Sequence, residues 1–459
     1  MLKFILALCA GKCISAAIHI LGPILHKNGT HLPGNIALKI DPLFLKHIGK
    51  PKTIVAVTGT NGKTTTNNLI IDALEKNGYK VLSNRYGSNV NSGIATALLQ
   101  GVNLFNRSKF KLGVLEVDER SSLRVYKYVH PDYVVVTNLM RDSLMRNAHP
   151  QYIFDIIEQS LPDDCTMILN ADDLLSNRLK LNNERVYYGI GHQPGDSAEA
   201  RNLINDVQIC PRCHSKLQYH VLRYNSIGRA VCPHCGLTSP EADVCTMDID
   251  YENRVLTMKV SQAPVEFPMI SDSTFNIYNE TAAVALLDQL GLSHDKIAEA
   301  FSTMKVVRSR YREDKVRGIR ILSTMTKGWI APACSAVFDY VSKLPGEKEL
   351  ILYLEDPTDP IFYSELLAYT FETDFEFLNK DNIQRIIVIG KRARDFHLRM
   401  LLAGIPKERL AWTETIEGLK RYLKPKYGVD IHILYDLHQA IHYDQILTNV
   451  KEAIEEAKL

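Results

Sequence analysis

The segment Thr58-Gly-Thr-Asn-Gly-Lys-Thr-Thr-Thr66 constrains what this chain can fold into more than any other. It follows Thr53-Ile-Val-Ala-Val-Thr58, a β-branched apolar run of strand character, and leads into Thr64–Leu74, where apolar residues recur at helical spacing. Strand, glycine-bearing loop and helix in that order make a phosphate cradle. The glycines (Gly59, Gly62) let the backbone N–H groups of Thr60, Asn61 and Thr65 close around phosphate oxygens, and the helix N-terminus adds partial positive charge. Lys63 then reaches the β- and γ-phosphates, and Thr64 holds Mg²⁺ through its hydroxyl. Val57 stands where the common G-x-x-x-x-G-K-[ST] pattern has its first glycine, so the loop is a variant of that pattern.

The rest of the chain repeats the alternation. Short apolar runs at Lys80–Ser83, Leu112–Val117, Tyr133–Thr137, Thr166–Leu169 and Arg185–Tyr188 read as buried strands, with helical stretches at Gly93–Leu99 and Ile153–Leu161 between them. This predicts an α/β fold with a mostly parallel sheet covered on both faces. A helix resumes from about Asn279 through Leu290. A second α/β series starts near Ile319, with strands at Ile319–Ser323, Leu350–Leu354, Arg385–Ile389 and His432–Tyr435 and a helix at Ala393–Ala403. A chain of 459 residues exceeds one ordinary core. Three parts are expected: an N-terminal helical segment over 1–50, a central phosphate-binding domain over 51–300 and a C-terminal α/β domain over 301–459.

Residues 205–262 break the pattern. Cys210-Pro-Arg-Cys213 and Cys232-Pro-His-Cys235 are two C-x-x-C pairs, and they place Cys210, Cys213, Cys232 and Cys235 around one Zn²⁺. A closed four-thiolate site leaves no open position, so the zinc is structural. Strand-like pieces at Asp248–Glu252 and Arg254–Val260 are assigned to the same inserted ribbon. His214 and His234 are read as surface neighbours. The other five cysteines form no pattern, so a reducing cytoplasm fits better than a disulfide framework.

Charge adds an exclusion. With 54 Lys+Arg against 52 Asp+Glu, no overall field calls for nucleic acid or an anionic membrane as a partner. Residues 3–21 read as an amphipathic helix. Lys12 interrupts the apolar run, so no stretch approaches the roughly 20 apolar residues that span a bilayer.

The 58–66 loop resembles that of the Mur ligases and folylpolyglutamate synthetases, which activate a carboxylate with ATP as an acyl phosphate and let an amine displace the phosphate. Other stretches share the likeness: Leu115-Glu-Val-Asp-Glu119, Thr137-Asn-Leu139, Leu169-Asn-Ala-Asp-Asp173, and Phe275-Asn-Ile-Tyr-Asn279 before Ala282-Ala283. The resemblance implies that Glu116 is a second Mg²⁺ ligand and that Asn276 and Asn279 contact ATP. It also implies that Arg310, or its neighbours Arg308 and Arg312, reaches the γ-phosphate. Read without the family, the two asparagines are equally well helix caps.

The zinc ribbon, with Gly29–Gly34, Asn84-Arg-Tyr-Gly-Ser-Asn89 and Gly390-Lys-Arg-Ala-Arg-Asp395, narrows the resemblance to the synthetase subunits of lipid II isoglutaminyl synthases. That implies amidation of the D-glutamate α-carboxylate of the lipid II stem peptide, with ammonia from a GatD-like glutaminase subunit in a heterodimer. It places the work at the inner face of the cell membrane.

The chain departs from that pattern in places. Of the stretch T-N-F-F-R-D-Q-L-D-R-Y-G-E, Arg141, Asp142 and Leu144 remain while Met145 replaces an acid, and of a K-N-P loop only Lys327 remains. Asp359 and Ser364 match a D-G-x-D-x-S-W segment whose aspartate assists the glutaminase, but its glycine, second aspartate and tryptophan are missing. Two other readings stay open: a paralogue with a different acceptor or amine donor, and a zinc-ribbon ATPase acting as a binding module.

Overall fold

The computed structural model of this chain describes residues 1–25, 31–142, 149–304, 311–326, 330–354 and 365–457. They fall into two units: Met1–Met140, Pro150–Glu199 and Val207–Met304 in the first, and Arg141–His149, Ala200–Asp206 and Lys305–Leu459 in the second.

The first unit opens with three helices, α1 (Leu2–Leu25), α2 (Leu32–Ile40) and α3 (Phe44–His47). Its strands are β1 (Thr53–Thr58), β2 (Val81–Ser83), β3 (Leu112–Glu116), β4 (Tyr133–Val136), β5 (Thr166–Asn170), β6 (Arg185–Ile190), β7 (Gln218–Tyr224), β8 (Ile227–Val231), β9 (Val244–Asp250), β10 (Val255–Val260) and β11 (Ala263–Pro268). Between and after them lie α4 (Lys63–Lys76), α5 (Asn91–Gly101), α6 (Ser122–Val125), α7 (Pro150–Ser160), α8 (Thr274–Gln289) and α9 (His294–Ser302). Nine strands form one sheet in the order β11-β10-β9-β6-β5-β4-β1-β3-β2, parallel from β2 to β9 and antiparallel along β9-β10-β11.

Alternation along β1 explains the two covered faces. Ile54 and Ala56 point into a core with α1, α2, α3, α5 and α7, while Val55 and Val57 point into one with α4, α8 and α9. A strand buried on both faces must be apolar throughout, which is why these runs were readable in the sequence.

Three expectations need correction. The pieces at 248–260 do not belong to the cysteine-bearing insertion. They are β9 and β10 of the main sheet, β9 pairing with β6, so the insertion is confined between β6 and β9. The helix expected from Asn279 begins at Thr274 with Ser273 as its N-cap, which puts Asn276 and Asn279 inside α8. The N-terminal helix is 24 residues long, and its Leu2–Ile20 stretch is long and apolar enough by length and composition to cross a membrane. Lys12 does not interrupt it, because its ammonium is satisfied on the Val102 carbonyl at 2.6 Å.

The second unit carries β12 (Tyr311–Val316), β13 (Ile319–Met325), β14 (Glu347–Tyr353), β15 (Ile383–Ile389), β16 (Leu410–Thr413) and β17 (Val429–Tyr435). Its helices are α10 (Ala331–Lys343), α11 (Glu365–Glu372), α12 (Ala393–Leu402) and α13 (Tyr443–Glu456). The sheet order is β12-β13-β17-β14-β15-β16, with only the β12-β13 pair antiparallel. Leu350 and Leu352 face α10 and α12, and Ile351 and Tyr353 face α13, so both sides are again covered.

Candidate functional site

The 58–66 loop leaves the C-terminal end of β1, where open parallel sheets place their ligands. Gly59 (φ +122°) and Gly62 (φ +86°) adopt backbone conformations that residues with a side chain rarely adopt, and Gly62 caps α4. A Cβ on Gly62 would lie 2.1 Å from Asn279 Oδ1. The loop is clamped by the segment after β4. Asn138 accepts the Asn61 N–H at 3.1 Å and donates to the Asn61 carbonyl at 3.0 Å, and the Thr60 N–H donates to the Asn138 carbonyl at 2.8 Å. Thr60 and Met140 exchange two further hydrogen bonds, 3.0 and 3.1 Å. The Thr137-Asn-Leu139 stretch thus holds the loop open in shape. Thr64 is exposed at the first turn of α4, with Thr65 half-buried beside it.

Lys63 is buried. Its ammonium donates to Glu119 Oε1 at 2.6 Å and to the Gly59 carbonyl at 2.5 Å. Burial alone would lower its pKa. The charge and hydrogen bond of Glu119, reinforced by Glu116 and Asp118, raise it above the ordinary lysine value instead. Glu116 ends β3 next to β1, and its Oε1 accepts from Asn89 Nδ2 at 2.9 Å. Asn84 bonds both backbone groups of Glu116, at 2.8 and 2.9 Å, so the 84–89 stretch positions that carboxylate. Three acidic side chains of one short segment thus act on one lysine, Glu119 by direct contact and Glu116 and Asp118 through their charge. Glu119 Oε2 has no hydrogen-bond partner among the described residues, although it is buried. A buried cation, a buried carboxylate oxygen without a partner, an exposed helix-end hydroxyl and glycine N–H groups are the donor set that a nucleotide polyphosphate with Mg²⁺ requires.

From α8, Asn279 is buried against Gly62 and receives support from Asn276: Asn279 Nδ2 donates to Asn276 Oδ1 at 3.2 Å, and Asn276 Nδ2 donates to Ser271 Oγ at 2.9 Å. Glu280, next along the helix, is buried with its carboxylate accepting the Ile270 N–H at 3.1 Å. Burial pushes its pKa up to about 8.

The cysteine centre is built from two matching turns. His214 (φ +62°) and Gly236 (φ +70°) each follow a C-x-x-C pair in the left-handed region. Their N–H groups donate back to the carbonyls of Cys210 and Cys232 at 2.9 and 3.0 Å. The Sγ atoms of Cys210, Cys213, Cys232 and Cys235 all lie within 4.8 Å of one another, with Cys210–Cys235 at 3.6 Å and Cys213–Cys232 at 3.4 Å. A disulfide needs about 2.05 Å, whereas four thiolates around zinc at about 2.3 Å stand about 3.8 Å apart. The cluster therefore fits a tetrahedral ion. His214 and His234 are exposed and lie outside it.

The insertion is anchored to the sheet by Asp172, which is wholly buried. Its carboxylate receives Arg223 at 3.1 Å, Arg229 at 3.4 Å and the Tyr278 hydroxyl at 2.6 Å, and its carbonyl accepts the Gly228 N–H at 2.7 Å. Arg223 and Arg229, the two arginines of the β7-β8 hairpin, are thus spent on an internal ion-pair cluster, while Arg212 and Lys216 beside the cysteines are exposed. In the second unit Arg141 pairs with Asp206 and Glu372, and Arg312 stacks over the Tyr443 ring at 4.7 Å. Arg308, Arg310, Lys327, Asp359 and Ser364 lie outside the described residues.

Sequence reading missed Glu119, Asn138 and Asp172 as individuals. Each sat in a stretch noted for resemblance, but its partner is 51 or more residues away.

The loop, its carboxylates and the parallel sheet define a Mur-ligase-type protein. The profile of the Mur ligase middle domain matches residues 57–231, and that of the MurT ligase C-terminal region matches 332–436. Among solved structures, a pseudomurein peptide ligase type C from Methanothermus fervidus superposes with TM-score 0.66 at 19% identity, covering 94% of this chain and 86% of its own. The MurF ligase of Thermotoga maritima, solved with ADP, superposes with TM-score 0.61 at 14% identity, covering 92% and 84%. Sequence comparison is more specific. The chain is 32% identical over 385 residues to the lipid II isoglutaminyl synthase (glutamine-hydrolyzing) subunit MurT of Staphylococcus aureus strain COL, covering 83% of this chain and 84% of that one. It is 26% identical over 453 residues to the same-named subunit of Streptococcus pneumoniae, covering 98% of both. The chain belongs to the MurT family of lipid II isoglutaminyl synthase subunits.

Proposed function

We propose that this chain phosphorylates the α-carboxylate of D-glutamate in the lipid II stem peptide with ATP, and that ammonia then displaces the phosphate to leave D-isoglutamine. Hydroxide is a poor leaving group, so ammonia does not displace it from a carboxylate. Attack of the carboxylate oxygen on the γ-phosphorus releases ADP and creates an acyl phosphate. Attack of ammonia on the acyl carbon then releases phosphate and a proton. The observation that carries this reading is the buried Lys63, seated in the glycine loop, in contact with Glu119 and under the charge of Glu116 and Asp118. Gly59, Thr60, Asn61, Gly62 and Thr65 line the phosphates, Lys63 bridges the β- and γ-phosphates, and Asn276 and Asn279 border the nucleotide. Mg²⁺, held by Thr64 and Glu116, would spread the negative charge of the transferring phosphoryl group. The family resemblance assigns Arg310, a residue outside those described, to the same charge. Glu119 keeps Lys63 protonated and correctly aimed. The zinc of the four cysteines is structural.

The ammonia comes from a separate glutaminase subunit of GatD type, and the family resemblance, incomplete at that segment, assigns Asp359 to assist that subunit. Because lipid II is membrane-borne, the work is done at the cytoplasmic face of the membrane.

The test is mass spectrometry of lipid II incubated with the purified chain, Mg-ATP and ammonium chloride, since free ammonia bypasses the partner. Conversion of one stem-peptide carboxylate to an amide, dependent on ATP and lost in Lys63→Ala, is the expected result. ATP binding with no amide formed would overturn the acceptor assignment in favour of a paralogue with another substrate.

A further inference from the structure

The N-terminal segment and the loop after α5 carry a charge imbalance that the whole-chain balance hides. Lysines at 3, 12, 27, 39, 46, 50 and 52, with Arg107, Lys109 and Lys111, face one carboxylate, Asp41. Asp41 is buried, accepting the Leu43 N–H at 3.0 Å and facing His47 at 3.3 Å, so it offers nothing outward. The remainder of the chain is acidic on balance.

Packing brings the first turns of α1, α3 and the loop after α5 together. On its inner side α1 buries Phe4, Ala7 and Leu8 against α2 and α5, and Gly11 sits so close to Leu99 that a Cβ would approach it to 2.2 Å. The 103–109 loop is tied to α3, where Asn106 bonds the Gly49 N–H and the His47 carbonyl, both at 2.8 Å. The His47 ring lies 5.6 Å from the Phe4 ring, so the loop, α3 and the first turns of α1 adjoin. On the outer side Leu2, Ile5 and Leu6 are 72%, 49% and 54% exposed. Leu104 and Phe105, at the tip of the loop, are 82% and 85% exposed. Their neighbours Arg107 and Lys109 are exposed cations. Large apolar side chains standing in water beside cations, with no outward acid in either segment, complement a surface that is apolar beneath and negatively charged on top.

We propose that this face docks on an anionic lipid bilayer. Leu104 and Phe105 enter the acyl boundary, Leu2, Ile5 and Leu6 lie beside them, and Arg107 and Lys109 meet headgroup phosphates. The chain lies on the bilayer and does not span it, because α1 would have to withdraw Phe4, Ala7 and Leu8 from the core to cross. The choice of the cytoplasmic leaflet rests on the proposed function; the surface itself rests on these side chains and shares none with the nucleotide site.

The test is flotation of the full chain with phosphatidylglycerol–phosphatidylcholine vesicles against pure phosphatidylcholine, at low and high salt. Partition onto the anionic vesicles, weakened by salt, is expected. It should fall by about tenfold or more in Leu104→Ser/Phe105→Ser and in Arg107→Glu/Lys109→Glu, with melting curves unchanged. No partition, or partition indifferent to both variant pairs, overturns the proposal. So does a chain that ignores vesicles but self-associates through Phe105. Failure to float while ammonia-dependent amidation of detergent-solubilised lipid II persists would sink the surface and leave the ligase reading intact.

Discussion

Lys63 and Glu119 form the closest charge pair of the nucleotide site, both nearly inaccessible to water. Removing the lysine leaves Glu119 buried beside Glu116 and Asp118 without a cation, so Lys63→Ala is expected to lower ATP-dependent turnover by about 10²–10³-fold or more. An unchanged rate in a folded variant would refute the assignment. Gly62→Ala addresses the cradle. Its φ of +86° and the 2.1 Å approach to Asn279 forbid a methyl group, so a cost of about 1–2 kcal/mol in stability and a loss of ATP binding by calorimetry are expected. Glu280 gives a pH prediction. Its folded pKa of about 8 exceeds the ordinary 4.5, so the folded chain keeps a proton that the unfolded chain releases. The stability that this proton contributes is present at low pH and declines between about 4.5 and 8. Glu280→Gln removes the ionisation, so its melting temperature relative to the parent should rise more at pH 8 than at pH 5.

Among the elements, the insertion between β6 and β9 depends most on features outside hydrophobic packing. It has one two-stranded hairpin, β7-β8, and such a hairpin is marginal alone. The four cysteines and the Asp172 cluster add to its apolar anchors, Val207, Leu217, Tyr224 and Ile227 in the two cores. Cys210→Ser should abolish tight zinc binding, measured by colorimetric release, and expose the 207–239 backbone to hydrogen exchange. A metal-free parent chain with full protection there would contradict the structural-zinc reading. Asp172→Ala strips the partner from two arginines and a tyrosine hydroxyl. With Arg223 and Asp172 almost wholly buried, a loss of about 3–5 kcal/mol in urea unfolding is expected.

For the molecule as a whole, the chain alone is expected to use ammonium but not glutamine, which a glutamine-fed assay with and without a GatD-type subunit checks. Much of the fold was legible in the sequence. The central strands of both sheets announced themselves because a strand buried on two faces leaves little room for polar residues, as Thr53–Thr58 and the 386–389 stretch of β15 illustrate. The edge strands β11, β12 and β16 escaped notice: β12 carries charge, as in Tyr311-Arg-Glu-Asp-Lys-Val316, β11 is mostly exposed or half-buried, and β16 is only four residues long. β9 and β10 were misassigned because their short half-buried alternation suits a ribbon as well as a sheet edge. By itself, then, the sequence determined the glycine loop, the helix behind it and the four-cysteine cluster, because each is set by backbone freedom and ligand spacing within a few residues. Only the tertiary structure decided that Glu119 meets Lys63, that Asn279 closes on Gly62, that Asp172 moors the insertion and that Asn106 ties its loop to α3, whose His47 lies against Phe4. Those pairings depend on how the strands order themselves in the sheet and how the helices pack on it, and no local spacing encodes that.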